Sequence, residues 1–395
     1  MIKHIIQYLA FIVVTLLLFT YLPCNIYSFQ PPKKFTGNYL FNPYKYDSCF
    51  SWQQSNFHAH SIAWKGVTNG KEKAAYIIKG YKSKGYAYAS ISDYEKVSAA
   101  DKAPCSVNVY EHGYNISKVH QLVLMPQHIC YEDFPLFQFT SAKQTTISKL
   151  DECSKAIVLA HPKLRHGYKD IDLKKLTGYN LMEVLNHSVN SSKKWDIALS
   201  AGKPVWIIGD DDSHDVNDLH QTFVNWTMID CAQHNKDSLI QHLIDGDAYG
   251  VVGKNAENNN KLVSVVIKGA LINVKVQSKA DSIQFIGQGG LVKDVHFNTN
   301  TATYVFKKED SYIRTVIYTK TSAMYLNPVI RYNGIDQPVN LITAHVNLLE
   351  TTLYKGLLIS MWTLSLRYLN IIAVKKTAGV FQKRFYHNKN TRFNI

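Results

Sequence analysis

The chain alternates between short apolar runs and stretches with helical spacing, and a long apolar segment lies near each end. Between Ser55 and Asp245 the runs read as strands: Tyr86 to Ser92, Val107 to Tyr110, Gln121 to Met125, Ala156 to Ala160, Tyr179 to Leu185, Val205 to Ile208 and Phe223 to Ile229. Helix-like segments fall between several of them. Lys71 to Lys84 carries Ala74, Ala75, Ile78 and Tyr81 at helical spacing and stops before Gly85, and Ile147 to Cys153, Ser192 to Ser200 and Asp237 to Asp245 follow. Alternating β and α of this kind predicts an α/β fold with a parallel sheet or barrel over residues 50–246.

After Asp247 the pattern changes to period two. Lys261 to Lys268, Leu271 to Val276, Ser282 to Ile286, Thr303 to Phe306 and Tyr312 to Tyr318 alternate, with Gly, Asn and Asp between them. They predict a small antiparallel β-sandwich-like module over residues 247–345.

The terminal segments predict hydrophobic helices. Ile5 to Pro23 contains no charge, so residues 1–28 read as a transmembrane anchor or a signal segment, the anchor being favoured. Gly356 to Val374 is apolar apart from Ser, Thr, Asn and Arg367, and residues 352–376 read as a transmembrane or interfacial helix. Lys375 and Lys376 follow, and residues 377–395 form a basic tail. Positive charge at both ends places them in the cytoplasm and the main domain outside it, periplasmic or at the cell surface.

Charge alters this picture little. The net charge is +14, but eight Lys and Arg residues lie beyond Thr351, where there is no Asp or Glu. The excess belongs to the tail, where anionic lipid is a sufficient partner and nucleic acid is not expected. The cysteines fit no zinc spacing and are expected to be mostly buried thiols, with one or two bridges at most.

The strand ends carry the candidate chemistry. His58 and His60 stand at i and i+2, on one side of an extended segment. The Tyr86–Ser92 run ends at Asp93, the Ala156–Ala160 run at His161-Pro162, and the Val205–Ile208 run at Asp210-Asp211-Asp212-Ser213-His214. Val107–Tyr110 runs into Glu111-His112, and His120 precedes Gln121. In a β/α barrel such ends gather on one face. A His and carboxylate set without cysteine suits Zn, Mn or Fe, and points to metal-assisted hydrolysis. Glu183 interrupts an apolar run and should face a polar site or a cation.

In order and spacing these motifs resemble the polymerase and histidinol phosphatase (PHP) family of metal-dependent phosphoesterases, over roughly Ser55 to Asp245. Asn56-Phe57-His58-Ala59-His60 resembles its opening His-x-His, Gly85 to Asp93 its second motif, Gly113 to His120 its Gly-x-Glu segment and following His, Ala160-His161-Pro162 its His-Pro, Leu181 to Asn186 its Glu and Asn strand, and Asp212-Ser213-His214 its closing Asp-x-His. The resemblance implies a distorted (β/α)7 barrel with one to three divalent metals. Tyr94 stands where the family has His, and Asn115 where it has the bridging Glu, with Glu111 and His112 close by.

The sequence thus predicts a membrane-anchored, extracytoplasmic phosphoesterase using metal-activated water. His58, His60, Asp93, Glu111, His120, His161, Asp212 and His214 are its candidate metal ligands, Asp212 and His214 its catalytic pair, and Arg165 its candidate contact to substrate phosphate. The substrate expected is a phosphorylated small molecule or a cell-envelope component. The competing expectation, from Tyr94 and Asn115, is a cell-surface binding protein on a degenerate PHP fold.

Overall fold

The computed structural model describes residues 2–44, 51–99, 106–231, 236–258, 260–335, 337–338, 340 and 342–390. It divides into two compact units, Met1–Ser28 with His345–Ile395, and Phe29–Ala344.

The larger unit is mixed α/β. One sheet has five strands in the order Val109–His112, Gln121–Leu124, Ala156–Leu159, Leu181–Leu185 and Trp206–Gly209. Its first two pairings are antiparallel and its last two parallel. All five strands are buried along their length, which explains why they read as apolar runs rather than alternating ones. Helix Ser192–Ser200 forms as its spacing predicts and buries Trp195, Ala198 and Leu199.

The other sheet has eleven strands. Its path runs Leu262–Lys268, Leu271–Gly287, Tyr312–Tyr318, Ala323–Leu326, Ala248–Val252, Asn225–Asp230, Trp52–Asn56 and Tyr88–Ala89. Leu291–Val305 pairs beside Leu271–Gly287, and Val329–Tyr332 links Tyr312–Tyr318 to Tyr39–Phe41.

Two expectations change here. The strands expected to close one seven-stranded barrel are shared between two sheets, joined at their ends by the isolated bridges Ala59–Ser213 and Tyr94–Glu111. At the first seam side chains replace a ladder: Asp210 accepts the Phe57 N–H at 2.7 Å, and Asn56 accepts the Asp211 N–H at 2.8 Å. The trailing strands do not form a sheet pair of their own. Asn225–Asp230 and Ala248–Val252 are antiparallel neighbours, so one sheet runs through the expected boundary near residue 246.

Helix Thr140–Asp151 starts seven residues before the predicted Ile147, because its first turns are polar yet buried. Lys143 Nζ bonds Asp172 at 2.5 Å and the Gly167 carbonyl at 2.6 Å, and Thr140 Oγ1 bonds Asp172 at 2.7 Å. Such partners make burial of these groups tolerable.

In the smaller unit both terminal apolar segments are helical, Ile2–Tyr21 and Leu348–Asn390, the second running on into the basic tail. Among the described residues no helix is long and apolar enough to cross a membrane. The crossing expected of residues 1–28 and 352–376 therefore has no support from the helices themselves; in the second, Ser360, Thr363, Ser365, Arg367 and Asn370 dilute the apolar run. Cys24, Cys130, Cys153 and Cys231 are buried, whereas Cys49, Cys105 and residues 391–395 of the tail lie outside the described residues.

Candidate metal centre

The side chains at the strand ends converge on Glu111, the third residue of Val109–His112. Its carboxylate is fully buried and each oxygen faces imidazoles. Oε1 lies 2.5 Å from His120 Nδ1 and 3.1 Å from His161 Nε2. Oε2 lies 3.1 Å from His60 Nε2 and 3.5 Å from His58 Nε2. Asp212 Oδ1 stands 3.2 Å from both His58 Nε2 and His60 Nε2.

Two trios hold ligand atoms within 4.8 Å of one another: His58, His60 and Asp212, and His58, Glu111 and His161. His58 Nε2 has one lone pair and can serve one ion only. Glu111, with an oxygen toward each side, is the group placed to bridge two positions.

The donor set fits a divalent ion. His58 Nε2, His60 Nε2, Glu111 Oε2 and Asp212 Oδ1 are buried without a hydrogen-bond partner, although they crowd one another. Buried polar atoms are normally satisfied, and nitrogen and oxygen donors converging on one point in this way are what a cation requires.

A surrounding layer fixes these ligands. Glu183 Oε1 accepts from His58 Nδ1 at 3.0 Å, which commits Nε2 to the centre, and Oε2 accepts the His161 N–H at 2.7 Å. Asn186 Nδ2 donates to Glu183 Oε1 at 3.0 Å and to Asp212 Oδ2 at 3.2 Å. The three consecutive aspartates divide the work. Asp210 ties down Phe57, Asp211 accepts the N–H groups of Phe223, Val224 and Asn225, and only Asp212 enters the centre. His161 (φ 29°) and Asp212 (φ 53°) are both in the left-handed backbone region, a cost commonly met at functional sites.

His214 joins neither trio, but its ring stacks on His60 at 4.4 Å, and its Nδ1 donates to the Asp212 carbonyl at 2.9 Å, leaving Nε2 free. Asp93 is buried and joins neither trio; its carboxylate accepts the N–H and the hydroxyl of Ser61, each at 2.7 Å. Arg165 is exposed, on the short turn Leu164–His166 after His161-Pro162. His112 bonds Gln121 and the Glu132 carbonyl instead of the cluster.

Asn115 is likewise elsewhere. It closes its own loop, accepting the Val119 N–H at 2.9 Å and donating to the Val119 carbonyl at 2.9 Å and Asp133 at 3.0 Å. The acid placed to bridge is therefore Glu111, four residues earlier than the motif register implies. Gly113 permits the tight approach of this loop: at φ +125° an added Cβ would sit 2.7 Å from the His120 ring. Tyr94 stacks flat on His60 at 4.7 Å, with Lys118 Nζ 5.5 Å from its ring.

Electrostatics follow from this crowding. Burial would depress His60, but Asp212 and Glu111 outweigh it and raise it to about 9. Burial would likewise raise Glu111, yet His120 and His58 hold it well below the usual carboxylate range. Burial, helped by His60, pulls His214 down to about 4. Burial with Glu111 and Asp212 nearby raises the Tyr94 phenol, which stays neutral.

A pH dependence follows. Raised above 6.5 when folded, His60 stabilises the metal-free protein fully below about pH 6.5, and that contribution is lost as pH rises through about 9. A metal ion must displace this proton. Calorimetric titration of Zn or Mn at neutral pH, in buffers of different ionisation enthalpy, is expected to show proton release, with affinity rising toward about pH 9.

No protein-family model matches the chain, and no curated protein matches it. Among solved structures, a two-domain protein containing a predicted PHP-like metal-dependent phosphoesterase from Bacteroides vulgatus ATCC 8482 is similar over 80% of this chain and 99% of its own, at 10% identity and a TM-score of 0.41. The case for function stands on the side chains themselves. Together they define an α/β protein with a candidate divalent-metal centre.

Proposed function

We propose that the protein is a divalent-metal-dependent hydrolase of phosphoesters. The observation that carries this reading is the convergence of unpartnered, buried His, Asp and Glu atoms about Glu111. His58, His60, Asp212 and Glu111 Oε2 would hold one ion, and His161 with Glu111 Oε1 a second, Zn, Mn or Fe being suited to the donors. A bound ion there supplies Lewis-acid polarisation of a phosphoryl oxygen and acidifies water.

The chain's own groups do the remaining work. Glu183 and Asn186 hold His58 and Asp212 in register. His214 is neutral at pH 7, and its free Nε2 is able to take a proton from attacking water. The neutral Tyr94 phenol is a further proton donor available beside the centre. Reconstitution with Zn, Mn or Fe and assay on a phosphomonoester and phosphodiester panel tests the reading. Metal-dependent turnover is expected, lost in His58→Ala. Turnover by neither metal-loaded protein nor any reconstituted form contradicts it.

Membrane attachment through the smaller unit belongs to the same reading. Ile5, Ile6, Leu9, Ile12, Val13 and Leu16 are exposed on the first helix, as are Leu353, Leu357, Ile359 and Leu364 on the last. Apolar surface of this extent favours lipid. The full chain is expected to float with anionic vesicles in a density gradient, and a chain that stays with the soluble fractions contradicts attachment. The extracytoplasmic placement of the main domain rests on the terminal charges alone.

A further inference from the structure

A groove of about 610 Å³ opens beside the metal centre. It is within the range of small-molecule sites, about 300–1,000 Å³. Trp64 and Tyr131 are exposed along it, and Lys65, Lys96 and His128 stand at its mouth. Glu95 lies in its wall with one oxygen bound to the Gly113 N–H at 2.8 Å. Among the described residues, neither Lys65 nor Lys96 forms an ion pair, so neither ammonium is tied to a carboxylate.

The groove is physically joined to the centre. Trp64 Nε1 donates to the Tyr94 carbonyl at 2.7 Å, and the Tyr94 ring lies on His60. The Glu95 N–H donates to the Glu111 carbonyl at 3.0 Å. The groove wall therefore touches one candidate ligand, Glu111, directly through Glu95, and is one residue, Tyr94, away from another, His60. Trp64, Lys65 and Glu95 all have positive φ (50°, 57° and 49°), and non-glycine residues adopt that backbone only where surrounding structure enforces it. The indole is also pinned by its hydrogen bond, so an exposed aromatic face is held in place beside two free ammonium groups.

We propose that this groove binds the organic part of the substrate, a ring-bearing anion of nucleotide or aryl-phosphate size, with the ring on Trp64 or Tyr131 and the charge met by Lys65 and Lys96. Its part in turnover rests on the hydrolase reading; its capacity to bind does not. The ring-facing residues supply shape, and the lysines exclude neutral or cationic analogues.

The test is calorimetric titration of the full chain with adenosine 5′-monophosphate and phenylphosphonate, against adenosine and inorganic phosphate as ring-only and charge-only probes. At least one ring-bearing anion is expected to bind about tenfold more tightly than either partial probe, since only it engages both an aromatic face and the lysines. Trp64→Ala and the Lys65→Ala, Lys96→Ala double variant should each lose about tenfold, both sites being exposed and tolerant of change. In metal-free protein, His58→Ala should bind the same anion within about twofold of the unsubstituted chain, which separates the groove from the metal centre. Which anion wins distinguishes a nucleotide from a smaller aryl group. Failure of both anions to bind, or binding that Trp64 and the lysines do not affect but His58→Ala removes, overturns the proposal.

Discussion

Glu111→Gln is expected to lower kcat/KM by about 100-fold or more, since losing even an outer partner of a metal ligand costs about 10–100-fold. The substitution keeps the shape of the side chain and removes its charge. Four imidazoles face that carboxylate, and one oxygen points to each side of the centre. An amide can present only one acceptor, so the bridge is lost. Metal content measured on the purified variant should fall by at least one ion relative to the wild type. Asn115→Asp is the matching control. Asn115 holds only its own loop and Asp133, so restoring an acid at the position where the motif register has one should leave metal content unchanged. A Glu111→Gln protein with wild-type metal content and turnover would remove Glu111 from the centre.

The largest effect on stability is expected at Asp196. Helix Ser192–Ser200 packs toward the eleven-stranded sheet through this residue. Arg314 Nε and Nη2 bond its two oxygens at 2.8 and 2.7 Å, and Tyr312 adds a third bond at 3.0 Å. The guanidinium carbon lies 5.4 Å from the Trp195 ring. Asp196→Ala leaves a buried guanidinium without its partner, a loss of about 3–5 kcal/mol. Urea unfolding of wild type and variant measures it. Replacing both partners by apolar residues of similar volume should cost much less, because no buried charge is left behind. If the single variant unfolds within about 0.5 kcal/mol of wild type, the contact is no more than a surface-like pair.

Much of the candidate site was legible because it depends on local order. Ala156–Leu159 and Trp206–Gly209 are unbroken apolar runs, and His161 and Asp212 follow within three residues of their ends, while Glu111 directly follows the Val107–Tyr110 run. His161, Asp212 and Glu111 were found that way. His58 and His60 were found from period two. The ligand bridge was legible as a residue but misplaced as a motif, since Gly113-Tyr114-Asn115 resembles the family pattern and Glu111 does not. Only the tertiary pairing of Glu111 with His120 and His161 decides between them. Asp93 shows another use of the same position: a strand-end carboxylate also serves as a staple, and its partner Ser61 has no sequence signal.

Less of the fold was legible. Val109–His112 runs antiparallel to Gln121–Leu124, which the β and α alternation does not reveal. The long pairing of Leu271–Gly287 with Leu291–Val305 passes through the polar stretch Gln277 to Asp281, where the register shifts and no apolar alternation marks a strand. The start of Thr140–Asp151 was hidden because polar partners, not an apolar stripe, bury it. The carboxylate that Asn115 lacks has a buried counterpart in Glu111, which faces four imidazoles.

The most direct measurement of the central claim is metal analysis of the full chain, wild type beside His58→Ala, as purified and after reconstitution. The site predicts at least one equivalent of Zn, Mn or Fe in the wild type and its loss in the variant. Wild-type protein that holds no such metal under either condition, or a His58→Ala protein that holds as much, would contradict it.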